Sequence, residues 1–141
     1  IPHMTRGSHI VQVASSAGHQ PLRCFSVYAA GKAYVISLSY ALAAELRLKE
    51  INTMVMAPGP VRTEFSSISR EDPGWHKAVL TKESDVGAVV AEALRDARKH
   101  KWASLYGFSN KLVPLLAALS PRRLMAIVSR RFIYVKVRRE E

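Results

Sequence analysis

A chain of 141 residues with 48% hydrophobic residues is long enough to bury a core as one ordinary domain, and too apolar to be wholly disordered. No apolar run approaches the roughly 18–20 residues that span a bilayer, and the start at Ile1 shows no secretory signal and suggests a piece of a longer protein. The net charge of +10 is divided as +3 over residues 1–80 and +7 over residues 81–141, so the C-terminal part sets any attraction to anionic partners.

In chain order, Ile1–Arg6 reads as the tail of a helix with Gly7 as its C-cap. Residues 9–14 (HIVQVA) are short, mostly apolar and β-branched, which predicts a buried strand. A loop with Ser, Gly and Pro follows over 15–25. From about Ser26 to Lys49, Tyr28, Val35, Leu38, Leu42 and Leu46 recur near helical spacing, and the spacing predicts one long helix. Residues 51–57 (INTMVMA) form the next strand, closed by Pro58-Gly59-Pro60. Residues 60–80 are irregular, with a Pro73-Gly74 turn and room for one short helix. Ser84 is placed to cap a helix over Asp85–His100, whose last turn carries Arg98, Lys99 and His100. A third strand spans Trp102–Tyr106 and stops at Gly107. Two helices complete the chain, Asn110–Leu119 and Pro121–Tyr134, the second opening with Ser120 as N-cap and Pro121 at its first position.

Strand and helix periods that alternate predict parallel β-α-β units, and such sheets place ligands beyond the carboxyl ends of their strands. Ser15-Ser16-Ala17-Gly18 and Pro58-Gly59-Pro60-Val61 both fall there. Tyr28 and Lys32, four apart near a helix start, share a helix face. A free phenol has a pKa of roughly 10, and a nearby cation favours its phenolate. Tyr28 is therefore suited to act as an acid towards a carbonyl oxygen, or as a base towards an alcohol. Ser15, thirteen residues before it, can hydrogen-bond that oxygen. Each residue alone has a plainer reading: Tyr28 as a half-buried core aromatic, Lys32 as a snorkelling lysine, Ser15 as a turn residue. Together at the strand ends they favour chemistry. Cys24, the only cysteine, excludes an internal disulfide and favours a reducing, cytoplasmic setting, and the five histidines lack metal-ligand spacing.

The runs IVQVASSAG (10–18), YAAGKAYV (28–35), LAAEL (42–46) and VMAPGPVRTEF (55–65) resemble the short-chain dehydrogenase/reductase family in order, spacing and local sequence. The resemblance covers about residues 1–110 and implies that Tyr28 is the catalytic acid/base. It implies that Lys32 lowers the tyrosine pKa and binds the nicotinamide ribose, and that Ser15, with Ser16 as fallback, orients the substrate carbonyl. Pro58, Gly59, Val61 and Thr63 resemble the loop that contacts the nicotinamide, and residues 64–80 the variable substrate lid. The implied cofactor is NAD or NADP. The implied fold is the C-terminal portion of an α/β, Rossmann-like parallel sheet with flanking helices, equivalent to strands 5–7 of seven. Residues 1–110 make up that part of the dinucleotide-binding domain, and 111–141 a helical, basic extension. The family's glycine-rich turn has no counterpart, because the seven glycines are never closer than eleven residues. The chain alone is therefore expected to bind the dinucleotide weakly, and to leave Ile10, Val11 and Val13 on an uncovered sheet edge.

The implied substrate is a small carbonyl compound or alcohol, with a lean towards lipid-like ones, and a homo-oligomer is a further expectation; nucleic acid is not expected. The alternative function is a truncated, non-catalytic interaction or membrane-surface module. Residues 121–139 hold seven basic residues and no acidic one. There Leu124, Ile127, Val128 and Phe132 form an apolar strip beside Arg122, Arg123, Arg130 and Arg131. The strip either packs on the domain's own core, the default reading, or lies in an anionic headgroup layer.

Overall fold

The computed structural model describes residues 1–23, 25–64 and 83–132, the side chains of 130–132 excepted. Three strands, β1 (His9–Val13), β2 (Asn52–Met56) and β3 (Ala103–Ser104), form a sheet in the order β1-β2-β3. Both pairings are parallel, with Val11 opposite Met54 and Val55 opposite Ala103. Four α-helices accompany them among the described residues: α1 (Ser26–Leu46), α2 (Val86–Arg98), α3 (Phe108–Leu119) and α4 (Arg122–Phe132). Short 3-10 turns sit at Ser16–His19 and Arg47–Lys49.

The apolar run of β2 explains the layering. Side chains alternate across a strand, and both faces of β2 are covered. On one face Val55 and Ala57 join Ala14 with Val35 and Ile36 of α1; on the other, Met54 packs with Ala93 and Ala97 of α2. Met54 and Val55 are completely buried. The sheet thus lies between α1 and α2, as a doubly wound α/β fold requires. Strand β1 forms one edge, where Val11 and Val13 are exposed.

Several predicted boundaries shift, each for a local reason. Ile1–Arg6 is not a helix: Met4 N–H donates to Ile1 O (3.1 Å) and Ser8 N–H to Thr5 O (3.0 Å), which makes two successive turns. Six residues do not offset the cost of nucleating a helix. Gly7, at φ +82°, still supplies the positive φ expected of it. Asp85 rather than Ser84 caps α2, its Oδ2 accepting from Ala88 N–H at 2.9 Å. Ser84 is committed elsewhere, since its N–H donates to Pro60 O and its carbonyl accepts from Arg62 N–H. The third strand keeps only two of its five predicted residues, pairing with Val55 and Met56 alone. Helix α4 starts one residue later than expected, with Pro121 O accepting from Met125 N–H. The Pro73-Gly74 turn, the short helix suggested within 60–80, Cys24 and Tyr134 lie outside the described residues.

Helix α2 is fastened to β3 by a buried carboxylate. Asp96 accepts from Ser104 Oγ at 2.9 Å and pairs with Lys101 Nζ at 2.6 Å. Desolvation pushes its pKa up, but the bonds from Lys101 and Ser104 and the charges of Lys101 and Lys111 outweigh that and hold it below the ordinary carboxylate value. His19 is half-buried, its Nε2 is buried with no hydrogen-bond partner among the described residues, and desolvation holds its pKa below the ordinary histidine value. Both shifts make the unfolded chain bind more protons than the native one on acidification, so stability falls as pH falls. The His19 contribution is lost first, from the ordinary histidine range down to its depressed value. The Asp96 contribution stays intact above the ordinary carboxylate range and is lost as pH falls through its lowered folded value. Denaturant titrations at stepped pH should show both phases, with Asp96→Asn flattening the second. An acid phase unchanged in that variant would place the loss elsewhere.

Candidate active site

The hydrogen-bonded ladder of β1 and β2 continues past the ends of the strands. Ala14 N–H donates to Met56 O at 2.8 Å, and Ser16 N–H donates to Pro58 O at 2.9 Å. Parallel pairing in register therefore brings the two predicted functional loops side by side at one edge. Ser15 stands between these two bonds in extended conformation (φ −162°, ψ 153°), and its Oγ accepts from Ala17 N–H at 3.2 Å. That bond caps the 3-10 turn, and Gly18 N–H closes the turn on Ser15 O at 3.0 Å.

Gly18 then touches α1. A methyl at this position would sit 2.7 Å from the carbonyl carbon of Lys32 and 2.8 Å from Ala33 N. The backbone itself thus sets the distance between the Ser15 loop and the helix that bears Tyr28 and Lys32. Lys32 reaches back from α1 to the last residue of β1, where Nζ donates to Val13 O at 3.1 Å. The same ammonium lies 5.7 Å from the centroid of the Tyr28 ring, within cation–π range. Tyr28 is 42% exposed, so part of its ring is open to solvent. Lys32 is no free surface lysine either, because its head is fixed to the strand.

The loop after β2 has its own support. Gly59 lies against Asn110 of α3: a methyl at Gly59 would come 2.5–2.8 Å from the Asn110 amide. Asn110 is buried and donates from Nδ2 to Tyr106 O at 2.8 Å. Val61 forms a single bridge to Ser84, which ties this loop to the segment before α2. Thr63 is exposed at the end of the loop. The structure thus joins Tyr28 to Lys32 through direct contact, and joins Ser15 and Pro58 through the extended ladder. Ser15 is held by its own turn; no bond from it to Tyr28 is seen among the described residues. Neither the close approach at Gly18 nor the Asn110 buttress is visible in the sequence, where Gly18 reads as a turn glycine and Asn110 as a helix start.

Residues 1–74 match the family model for short chain dehydrogenase. The chain belongs to the short-chain dehydrogenase family. It is similar to dehydrogenase/reductase SDR family member 4 of Bos taurus, at 32% identity over 56% of this chain and 29% of that protein. It is also similar to carbonyl reductase family member 4 of Xenopus laevis, at 37% identity over 48% of this chain and 28% of that protein. The chain thus matches less than a third of these relatives' length. In fold it resembles a short-chain dehydrogenase from Sphingobium yanoikuyae in complex with NADPH (TM-score 0.62, 24% identity), over 94% of this chain and 47% of that one. A short-chain dehydrogenase from Burkholderia cenocepacia in complex with NADP gives a TM-score of 0.68 at 20% identity, over 89% and 49% of the two chains. Within the short-chain dehydrogenase fold, the three parallel strands, flanking helices and extension of this chain correspond to about half of such a structure.

Proposed function

We propose that this chain is the catalytic half of a nicotinamide-dependent oxidoreductase that reduces a ketone or oxidises a secondary alcohol. The observation that carries the reading is Lys32, bound at once to Val13 O and to the face of the exposed Tyr28 ring, just beyond two parallel strands. That position sets an ammonium beside the phenol at the strand ends, and the family match favours the enzyme over a non-catalytic module. The two neighbours in complex with NADPH and NADP support the cofactor class, NAD or NADP.

The residues present fit the nicotinamide end of such a cofactor. Only one of the three N–H groups of Lys32 is used by Val13 O, so the ammonium retains donors for ribose hydroxyls. Pro58, Gly59, Val61 and Thr63 line the adjoining loop for the nicotinamide ring. The bound cofactor supplies the hydride in reduction and accepts it in oxidation. Tyr28 gives its phenolic proton to the carbonyl oxygen as the alcohol forms, and takes it back in the reverse direction. Lys32 supplies positive charge beside the ring while the phenolate exists. Ser15, whose Oγ already accepts one bond from Ala17 N–H, keeps its hydroxyl proton for the substrate oxygen. The apolar, basic extension leans the substrate class towards lipid-like carbonyl compounds.

The test is turnover of a panel of ketones by the full-length protein with NADH or NADPH, in two serine variants. Ser15→Ala removes a hydrogen bond to developing charge and should lower kcat about 10- to 100-fold. Ser16→Ala should be mild, because it is the Ser16 backbone, through Pro58 O, that builds the site. A damaging Ser16→Ala beside a silent Ser15→Ala would transfer the orienting role to Ser16. Lack of turnover with either cofactor across the panel would overturn the oxidoreductase reading itself.

A further inference from the structure

We infer that the consecutive helices α3 and α4 dock on an anionic lipid headgroup layer, a role independent of the proposed chemistry. Gly107, at φ +85°, turns the chain into α3, and Ser120-Pro121 joins α3 to α4. The outer face of α3 carries Phe108, Leu112, Leu115, Leu116 and Leu119, at 79%, 39%, 55%, 55% and 76% exposure. Their spacing places them on one stripe of the helix. On α4, Leu124 and Ile127 are 50% and 69% exposed, so these two members of the strip do not pack on the domain's own core. Five large apolar side chains along one stripe of a helix are the kind of surface that meets another apolar phase.

Charge selects the occupant. Residues 97–139 hold eleven Lys/Arg and no Asp/Glu. Arg122 and Arg123 are exposed in the first turn of α4, which carries no acidic residue. Cations at a helix N-terminus oppose the helix dipole, so helix stability does not account for them. An anionic surface does. A segment that offers both exposed apolar and exposed basic side chains fits headgroups and acyl chains together, whereas nucleic acid needs only the charge. None of the helices among the described residues is long and apolar enough to cross a membrane; the contact inferred is lateral, with α3 adding its stripe to the basic segment.

The experiment is co-sedimentation of the full-length protein with phosphatidylcholine vesicles, with and without phosphatidylserine. Binding should require phosphatidylserine and weaken as salt is raised. Arg122→Glu with Arg123→Glu should reduce partitioning at least about 10-fold. Both side chains are exposed, so this variant should fold. Leu115→Ser with Leu116→Ser should also abolish binding; if it fails to fold, the arginine variant decides alone. No binding, equal binding to neutral vesicles, or indifference to the arginine changes would overturn the inference. So would a leucine variant that keeps its vesicle binding, or one that instead dissociates an oligomer in gel filtration, because protein would then cover the stripe.

Discussion

Tyr28→Phe in the full-length enzyme is expected to keep the fold and cofactor binding while lowering turnover about 100- to 10,000-fold, the range of positioned proton transfer. The change removes one oxygen from a ring that is already 42% exposed, so little packing is lost. The Lys32 ammonium keeps the Val13 carbonyl and keeps an aromatic face beside it. What disappears is the proton for the substrate oxygen. Lys32→Ala should cost at least as much, since it removes the ribose donors and the charge beside the ring together. It also frees the Val13 carbonyl, so its thermal stability must be measured alongside. The discriminating data are kcat and the cofactor dissociation constant for the two variants. Tyr28→Phe should lose kcat with an unchanged cofactor constant; Lys32→Ala should lose both. More than about a tenth of wild-type turnover in Tyr28→Phe would show that another group handles the proton.

Much of this architecture is legible in the chain because its signals are strong and local. Strand and helix periods alternate along the chain, which predicts a parallel sheet, and the apolar run around Met54 and Val55 fits a strand buried on both faces. The i, i+4 spacing of Tyr28 and Lys32 predicts the ring–ammonium contact for the same reason: backbone periodicity fixes it. Errors arise where neighbouring residues compete for one role. Ser84 and Asp85 can both cap a helix, and only the tertiary pairing of Ser84 with residues 60–62 decides for Asp85. The third strand pairs only at Ala103 and Ser104, opposite Val55 and Met56, an extent that no pattern within 102–106 encodes. The α4 strip is ambiguous in sequence because an amphipathic helix looks the same whether it faces a core or a solvent boundary. Least legible are the contacts between distant segments, Gly18 on α1 and Gly59 on Asn110, since a glycine in a loop gives no hint of what lies beside it.

Gly18→Ala provides the sharpest test of that last kind of contact. Gly18 is not among the positive-φ residues, so an alanine costs nothing in backbone conformation; the whole effect is steric. The new methyl would stand 2.7 Å from Ile36 Cδ1, 2.7 Å from the Lys32 carbonyl carbon and 2.8 Å from Ala33 N. Ile36 can turn its terminal carbon away, but the helix backbone cannot yield in the same manner. Either the Ser15–His19 turn lifts or the Lys32 end of α1 retreats. Overpacking of this sort typically costs about 1–3 kcal/mol of stability. The effect on catalysis should be larger, because the same displacement moves Ser15 relative to Tyr28 and Lys32, and about 1 Å of misplacement can cost on the order of 100-fold. Gly31→Ala is the control: it lies within α1 and a methyl there meets nothing within 4 Å. That change should stabilise the helix by about 0.5–1 kcal/mol and leave turnover alone. Melting temperature and kcat/KM measured together on both variants give the answer. If Gly18→Ala turns over at the wild-type rate while folded, the distance between the serine loop and α1 does not govern the chemistry, and Ser15 loses its place in the site.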